Sequence, residues 1–325
     1  MNEFQLIERF FARPPRSASV RLGVGDDAAL LTPAPGCELA VSVDMLVAGR
    51  HFYADVDPAA LGHKTLAVNL SDLAAMGATP RWALLAGALP HVDEGWLAAF
   101  ARGFLDLADA HKVDLVGGDT TRGPLNLCVT IIGEVPTGQA LRRDGAQVGD
   151  DLYVSGSLGD AALAVAARDG RIALPPATLA ACRVRLDSPQ PRIVLGTQLR
   201  TVASSAIDLS DGLTGDLGHI LSRSEVGAEV DLARLPMSPA LTALLKGATR
   251  PVGIACLLAG GDDYELCFTA AVAHRVAVGR AARAAHIRVT RIGSITATRG
   301  LVVRDERGAH LATLPGAYDH FAGGQ

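Results

Sequence analysis

Seven aspartates stand in segments that are otherwise apolar or glycine-rich. Asp26 and Asp27 lie between LGVG and AALL, Asp44 within LAVSVDML, Asp72 within LAVNLSDLAAMG, Asp119 in VGGDTTRG, and Asp208 and Asp211 in SAIDLSDGL. A carboxylate taken out of water without a partner is strongly destabilising, so any fold of this chain must pair these groups, hydrogen-bond them or give them a metal ion. Lysine and arginine are thin in the same segments, which favours cations as the missing positive charge. Oxygen-only ligation points to Mg2+.

The remaining composition narrows the class. With 325 residues, 49% hydrophobic and 20% charged, the chain can build two ordinary domains, each with its own core. The formal charge is −4 and no basic stripe interleaves with aromatics, which argues against nucleic-acid binding. A polyanionic ligand must then be met by a local device, because the field of the whole protein will not attract it. No apolar run approaches the roughly 18 residues of a membrane span. The start, MNEFQLIERFF, lacks a signal-peptide pattern. Cys37, Cys128, Cys182, Cys256 and Cys267 form no CxxC pair and read as small buried residues of a reducing compartment, so a cytoplasmic location is expected.

Periodicity places the aspartates on elements. Phe4 to Phe11 reads as a short amphipathic helix. In LAVSVDML, Leu39, Val41 and Val43 share one face of a strand while Ala40, Ser42 and Asp44 share the other. Asp57-Pro58 is a helix start, and that helix runs to Gly77. A second helix is expected from Asp93 to Lys112, then a strand VDLV entering a loop GGDTTRG, then a strand LNLCVTIIGEV. The polar, Gly-containing stretch from Pro136 to Leu152 marks a boundary between domains 1–138 and 139–325. Beyond it come a strand at LYVSG, a helix from about Gly159 to Arg168, a helix after Pro189, the strand SAID, a helix from Thr214 to Ser224, the strand YELCFTA, an Ala/Arg-rich helix and two closing strands. Strands and helices in this mixed order predict two α+β domains, with mixed or antiparallel sheets flanked by helices.

Each acidic site has a plain structural alternative. GVGDDAALL and GGDTTRG could be simple turns in which an Asp bonds local backbone. Asp44 could face solvent from an edge strand. On the helix ALGHKTLAVNLSDLAAMG, Thr65, Asn69 and Asp72 form a polar stripe at i, i+4 and i+7. An exposed helical face would ordinarily carry Lys and Glu, whereas these short side chains suit a preorganised site. Glycines before Asp119 let backbone N–H groups approach a phosphate. In AIDLSDGL a strand passes into a helix, so Ser210 or Asp211 could act as the helix cap. Asp208, still on the strand, has no such role. Several aspartates with Mg2+ and Gly-rich turns fit phosphoryl transfer. No GxxxxGK[ST] loop, no protein-kinase HRD or DFG pattern and no HExxH is present.

Taken together, GVGDDAALL, SVDMLVAGRHF, DPAALGHKTLAVNLSDLAAMGATPRW, GGDTTRGP, SSAIDLSDGL and GGDDYELCF resemble the thiamine-monophosphate kinase family, within the aminoimidazole-ribonucleotide-synthetase-like superfamily. The segments fall in order from about residue 20 to 268, so the resemblance spans nearly the whole chain. It implies transfer of the γ-phosphoryl of ATP onto thiamine monophosphate by a homodimer of two α+β domains, the N-terminal one serving ATP and Mg2+ binding and dimerisation. It implies magnesium ligands at Asp27, Ser42, Asp44, Asp72, Asp119, Asp208 and Asp211, with Val43 acting through its backbone. ATP contacts are implied at Gly118, Asp119, Arg143 and Ser210, and substrate contacts at His51, Asp262 and Tyr318. The family usually has Glu where Asp262 stands, so the reach is one methylene shorter here.

A phosphate-monoester acceptor is already anionic at neutral pH, so no general base is required and His51 is cast as a binding group. The competing readings are a sister synthetase of the superfamily, such as aminoimidazole-ribonucleotide synthetase, and a non-catalytic nucleotide or thiamine-phosphate binding protein. A selenophosphate synthetase would need a reactive Cys near the N-terminus, and a hydrogenase maturation factor a C-terminal one; here the first is Cys37 and the chain ends HFAGGQ.

Overall fold

The computed structural model describes residues 2–316. The chain divides into two units. The first takes the residues up to Leu73 together with Ala78–Ala140; the second takes Ala74–Gly77 and the residues from Leu141 onward.

The first unit is assembled from α1 (Glu3–Phe10), β1 (Val20–Leu22), β2 (Leu30–Leu31), β3 (Cys37–Val47), α2 (Pro58–Ala75), β4 (Thr79–Leu89), α3 (Glu94–Ala110), β5 (Asp114–Arg122) and β6 (Asn126–Pro136). β3, β6, β4 and β5 form a sheet in that order, antiparallel except for the β4–β5 pair. Asp57 accepts the Ala60 N–H at 2.9 Å and Asp93 accepts from Gly95 and Trp96, so both long helices begin where a carboxylate satisfies free N–H groups. α2 is apolar nearly all round and is accordingly buried, with Leu66, Leu70 and Leu73 at most 1% exposed.

α2 and α3 cross at van der Waals contact because glycines stand at the crossing. A Cβ on Gly62 would fall 2.1 Å from the Phe100 carbonyl oxygen, and one on Gly103 would fall 1.9 Å from that of Ala59.

The second unit consists of β7 (Asp151–Ser155), α4 (Asp160–Arg168), α5 (Pro176–Asp187), α6 (Ile193–Leu199), β8 (Ser205–Asp208), α7 (Leu213–Ser224), β9 (Gly227–Asp231), α8 (Pro239–Leu244), α9 (Arg250–Ala259), β10 (Leu266–Ala270), α10 (Arg275–Ala284), β11 (Val289–Thr296) and β12 (Gly300–Arg304). Its sheet runs β12-β9-β11-β7-β10-β8, parallel only between β12 and β9. Both units are therefore α+β with mixed sheets.

Two local expectations are corrected. GGDTTRG is strand rather than loop: β5 continues through it to Arg122 because β4 pairs with it in parallel register, Leu85 opposite Gly118 and Ala86 opposite Asp119. YELCFTA loses its first two residues, since Tyr264 has φ +49° and cannot lie in a strand. α5, α8, α9 and β9 had no clear pattern; α5, for example, buries only Cys182 and Leu186.

Gly62→Ala is expected to force α2 and α3 apart and to cost about 1–3 kcal/mol or more of stability. Urea unfolding checks this, and an unchanged midpoint would contradict the close crossing.

Candidate functional site

In the first unit the polar face of β3 is turned toward α2. The Ser42 hydroxyl donates to Asp72 Oδ2, and the Asp44 N–H donates to Asn69 Oδ1 at 3.0 Å. Thr65 and Asn69 are each 1% exposed, so the stripe on α2 is an interior face and not a solvated one. Thr65 and Asn69 also bond back to the helix carbonyls of Leu61 and Thr65, which holds their rotamers. Ser42, Asp44, Asn69 and Asp72 thus interlock across a strand and a helix. The opposite face of β3 carries Leu39, Val41, Val43 and Met45, all exposed. Val43 therefore sits on the strand of the interlocked group with its side chain outward. His51 follows the end of β3, where its Nδ1 accepts the Val47 N–H at 3.0 Å.

Asp27, Gly118 and Asp119 line a separate feature of the same unit, a cavity of about 820 Å³. Its other wall is aromatic, with Phe4, Phe11, Trp96 and Phe100. Trp96 stacks on Phe100 at 5.1 Å and Phe11 meets Phe100 edge-on. Asp27 and Asp119 are exposed on the polar wall, and Asp27 donates its N–H to Asp26 Oδ1 at 2.8 Å, as in the plain turn. Gly118 has φ +151°, and a Cβ there would fall 1.8 Å from the Leu85 carbonyl oxygen, so only glycine lets β5 pass β4 at this point.

In the second unit β8 ends at Asp208, which is 4% exposed. The following loop runs against the Gly260–Glu265 segment. Leu209 N–H donates to Glu265 O, Tyr264 N–H to Leu209 O, and Asp262 N–H to Ser210 O, all at 2.8–2.9 Å. These bonds set Ser210 and Asp211, just past Asp208 at the end of β8, against the loop that carries Asp262. Arg143 lies on the exposed segment beside β8, where the Arg142 carbonyl accepts the Ala206 N–H. Tyr318 lies outside the described residues.

Neither Ser210 nor Asp211 caps α7, contrary to the simple alternative. The cap position is Gly212, without a side-chain bond, and the free N–H groups of Ser210 and Asp211 donate instead to Asp216 Oδ2 at 3.0 and 3.1 Å. Burial pushes the Asp216 carboxyl up to about 7, opposed by these N–H donors and reinforced by the Asp211 charge.

Three further acids were missed. Asp263, fully buried and held well above the ordinary carboxylate range by that burial, accepts the Gly159 N–H at 2.8 and 3.1 Å. Glu265 is fully buried among Arg185, Arg192 and Ser155. Asp151, between Arg275 and Arg291, is drawn down to about 2, chiefly by the Arg275 bond. Asp216 alone left a signal, an acid in the first turn of a helix. The other three have partners remote in sequence.

Magnesium can be tested against these donors. Among the described residues no group of three or more His, Cys, Asp or Glu is disposed to hold a metal ion. The side-chain oxygens that do meet are those of Ser42 and Asp72, with Asn69 Oδ1 on the Asp44 backbone N–H beside them, without His or Cys. Mg2+ typically takes one or two carboxylates and completes its shell with waters and substrate phosphates, so the set fits a cation that arrives with a nucleotide.

Comparison with known proteins follows the same division of the chain. Residues 25–135 match the AIR synthase related protein N-terminal domain, and residues 147–306 the corresponding C-terminal domain. The chain is thus an AIR synthase related protein in both of its units. Thiamine-monophosphate kinase of Escherichia coli is 47% identical over 324 residues, covering 98% of each chain. The crystal structure of thiamine-monophosphate kinase from Stenotrophomonas maltophilia superposes with a TM-score of 0.85 at 50% identity, covering 93% of this chain and 96% of that one. AaThiL complexed with AMPPCP and TMP superposes with a TM-score of 0.77 at 28% identity, covering 89% of each. The chain belongs to the thiamine-monophosphate kinase family.

Asp216→Asn yields a signed pH test, measured without nucleotide or metal. The folded-state value lies above the unfolded one, so the contribution of the native carboxyl is fully present below about pH 4 and is lost as pH rises through about 7. The stability of the Asn variant relative to the native chain should therefore climb between those limits and level off above them. Denaturant unfolding across the range reads this, and parallel pH profiles would contradict it.

Proposed function

We propose that the chain transfers the γ-phosphoryl group of ATP to the phosphate of thiamine monophosphate, giving thiamine diphosphate and ADP. The observation that carries this reading is the inward polar face of β3 and α2, with Ser42, Asp44, Asn69 and Asp72 interlocked, on a chain whose 47%-identical relative is a thiamine-monophosphate kinase. AMPPCP and TMP in the AaThiL complex supply the matching pair of ligands, a nucleotide and a phosphate ester.

The reaction joins two anions, and the protein must hold them in line against their repulsion. The acceptor phosphate is its own nucleophile, so no side chain need remove a proton. In the first unit, the cavity that places an aromatic wall opposite Gly118 and Asp119 suits a flat base at one side and phosphates at the other. Gly118 leaves the strand backbone accessible to a phosphate oxygen. Arg143 and Ser210 of the second unit are assigned to ATP as well, Arg143 as a charge partner and Ser210 as a hydroxyl donor. His51 and Asp262 are assigned to the acceptor, with Tyr318 joining them on resemblance alone.

Asp27, Ser42, Asp44, Asp72, Asp119, Asp208 and Asp211, with the Val43 backbone, are the proposed holders of Mg2+. When bound, the cation neutralises charge on the phosphates. The residues contribute fixed oxygens. Asp72 is anchored through Ser42, and the backbone of Asp44 is anchored through Asn69, so neither group must be ordered at the moment of reaction.

Leu39, Val41, Val43 and Met45 form a continuous exposed aliphatic row on an edge strand, which favours a homodimer covering that face. No described helix is long and apolar enough to cross a membrane. The unpaired cysteines and the use of ATP favour the cytoplasm.

Asp72→Asn and Asp208→Asn are each expected to abolish ATP- and Mg2+-dependent ADP formation with thiamine monophosphate while circular dichroism stays native. Full activity in either variant would overturn the metal assignment. Val41→Asp should convert a dimer to a monomer by light scattering; an unchanged mass would remove β3 from the interface.

A further inference from the structure

Asp262 and Tyr264 both occupy the left-handed region, with φ of +65° and +49°. Non-glycine residues stay there only where their surroundings impose it, and such outliers gather at functional sites. Here three contacts impose it. The Asp262 N–H is held by the Ser210 carbonyl and the Tyr264 N–H by that of Leu209. Between them the Asp263 carboxylate fastens to the Gly159 N–H with both oxygens.

Side chains consequently alternate across the tripeptide. Asp263 points inward and is buried, while Asp262 remains partly exposed. The Tyr264 ring is buried to 9% exposure, and its hydroxyl donates to Asp262 Oδ1 at 3.2 Å. A carboxylate on a left-handed backbone, gripped by a phenol whose ring cannot swing, has a preset direction.

We propose that Tyr264 is a positioning residue whose hydroxyl aims the Asp262 carboxylate at the acceptor, and that Asp263, by its bond to Gly159, holds the backbone that makes this pairing possible. The inference rests on the reading that Asp262 contacts the acceptor. A carboxylate repels the acceptor's phosphate, so the group it meets is the cationic or N–H-bearing organic part of that molecule. Asp262 and Tyr264 together then govern which phosphate esters are accepted rather than how ATP is held.

The test is steady-state kinetics of the full chain, with ATP and thiamine monophosphate varied separately. Tyr264→Phe removes one oxygen and keeps the ring. It should raise the KM for thiamine monophosphate about fivefold, the scale of one net hydrogen bond, and leave the KM for ATP and the Tm unchanged. Added to Asp262→Ala, it should have no further effect, because Tyr264 acts through Asp262. Asp263→Ala should raise the same KM, and Asp263→Asn, which retains an oxygen for Gly159, should restore most of the loss.

An unmoved acceptor KM in Tyr264→Phe overturns the proposal. So does a rise in both KM values together with a fall in Tm, or a full effect persisting in the Asp262→Ala background. If Asp263→Ala does not fold, Tyr264→Phe and its double variant decide the matter. Asp262→Ala separates the two levels. A normal acceptor KM there removes both the substrate reading and this proposal, whereas a raised KM with a normal Tyr264→Phe removes the positioning role alone.

Discussion

A carboxylate withdrawn from water must be satisfied in full, and this chain withdraws many. How each one is satisfied sorts structural acids from candidates for chemistry. Glu265 and Asp151 are clamped by pairs of arginines, and Glu134 by Arg81. Their charge is consumed by the fold. A buried ion pair of this kind does not by itself add stability over an apolar alternative, but removal of one partner leaves a stranded charge. Asp114, Asp216 and Asp263 are held by backbone N–H groups, which fixes the loops that carry them. The β3–α2 group adds a third kind of contact. There the Asp72 carboxylate accepts the Ser42 hydroxyl, a small neutral donor that orients the acid, and Asn69 holds the Asp44 backbone N–H.

That distinction explains what was legible. The stripe Thr65-Asn69-Asp72 stood out because helical spacing and residue size are both visible in a linear string, and the structure buries Thr65 and Asn69 and half-buries Asp72. AIDLSDGL was legible as a strand-to-helix passage for the same reason. The arginine clamps were not. Local scarcity of Lys and Arg around an aspartate says nothing about Arg185 and Arg192 reaching Glu265 across more than seventy residues. GGDTTRG misled because clustered glycines signal a turn, whereas here Gly118 lets β5 run beside β4 at a point where a side chain would collide. Asp216 was overlooked because the nearer Ser210 and Asp211 looked like caps, yet the acid within the first turn does the work of satisfying the free N–H groups.

β3 shows a subtler limit. Alternation separates its two faces correctly but does not say which one is inside. Apolar residues normally decide that, and Leu39, Val41, Val43 and Met45 would be expected to claim the interior. They are outward because α2 offers Asn69 and Asp72 to the other face, and the two polar rows satisfy each other.

One strand therefore carries two obligations. Its inner row must keep Ser42 and Asp44 in register with α2, while its outer row needs cover that the described residues do not supply. A period-2 strand cannot shift by one residue to relieve either demand, since the slip would exchange the rows. All eleven residues of β3 pair with β6, from Cys37 opposite Pro136 to Val47 opposite Asn126, and this long ladder fixes the register against both pulls. A second copy laid over the outer row would bear directly on the strand that holds Ser42 and Asp44. Assembly on that face would then be mechanically joined to the geometry of the acidic group through a single backbone, with no intervening loop to absorb a displacement.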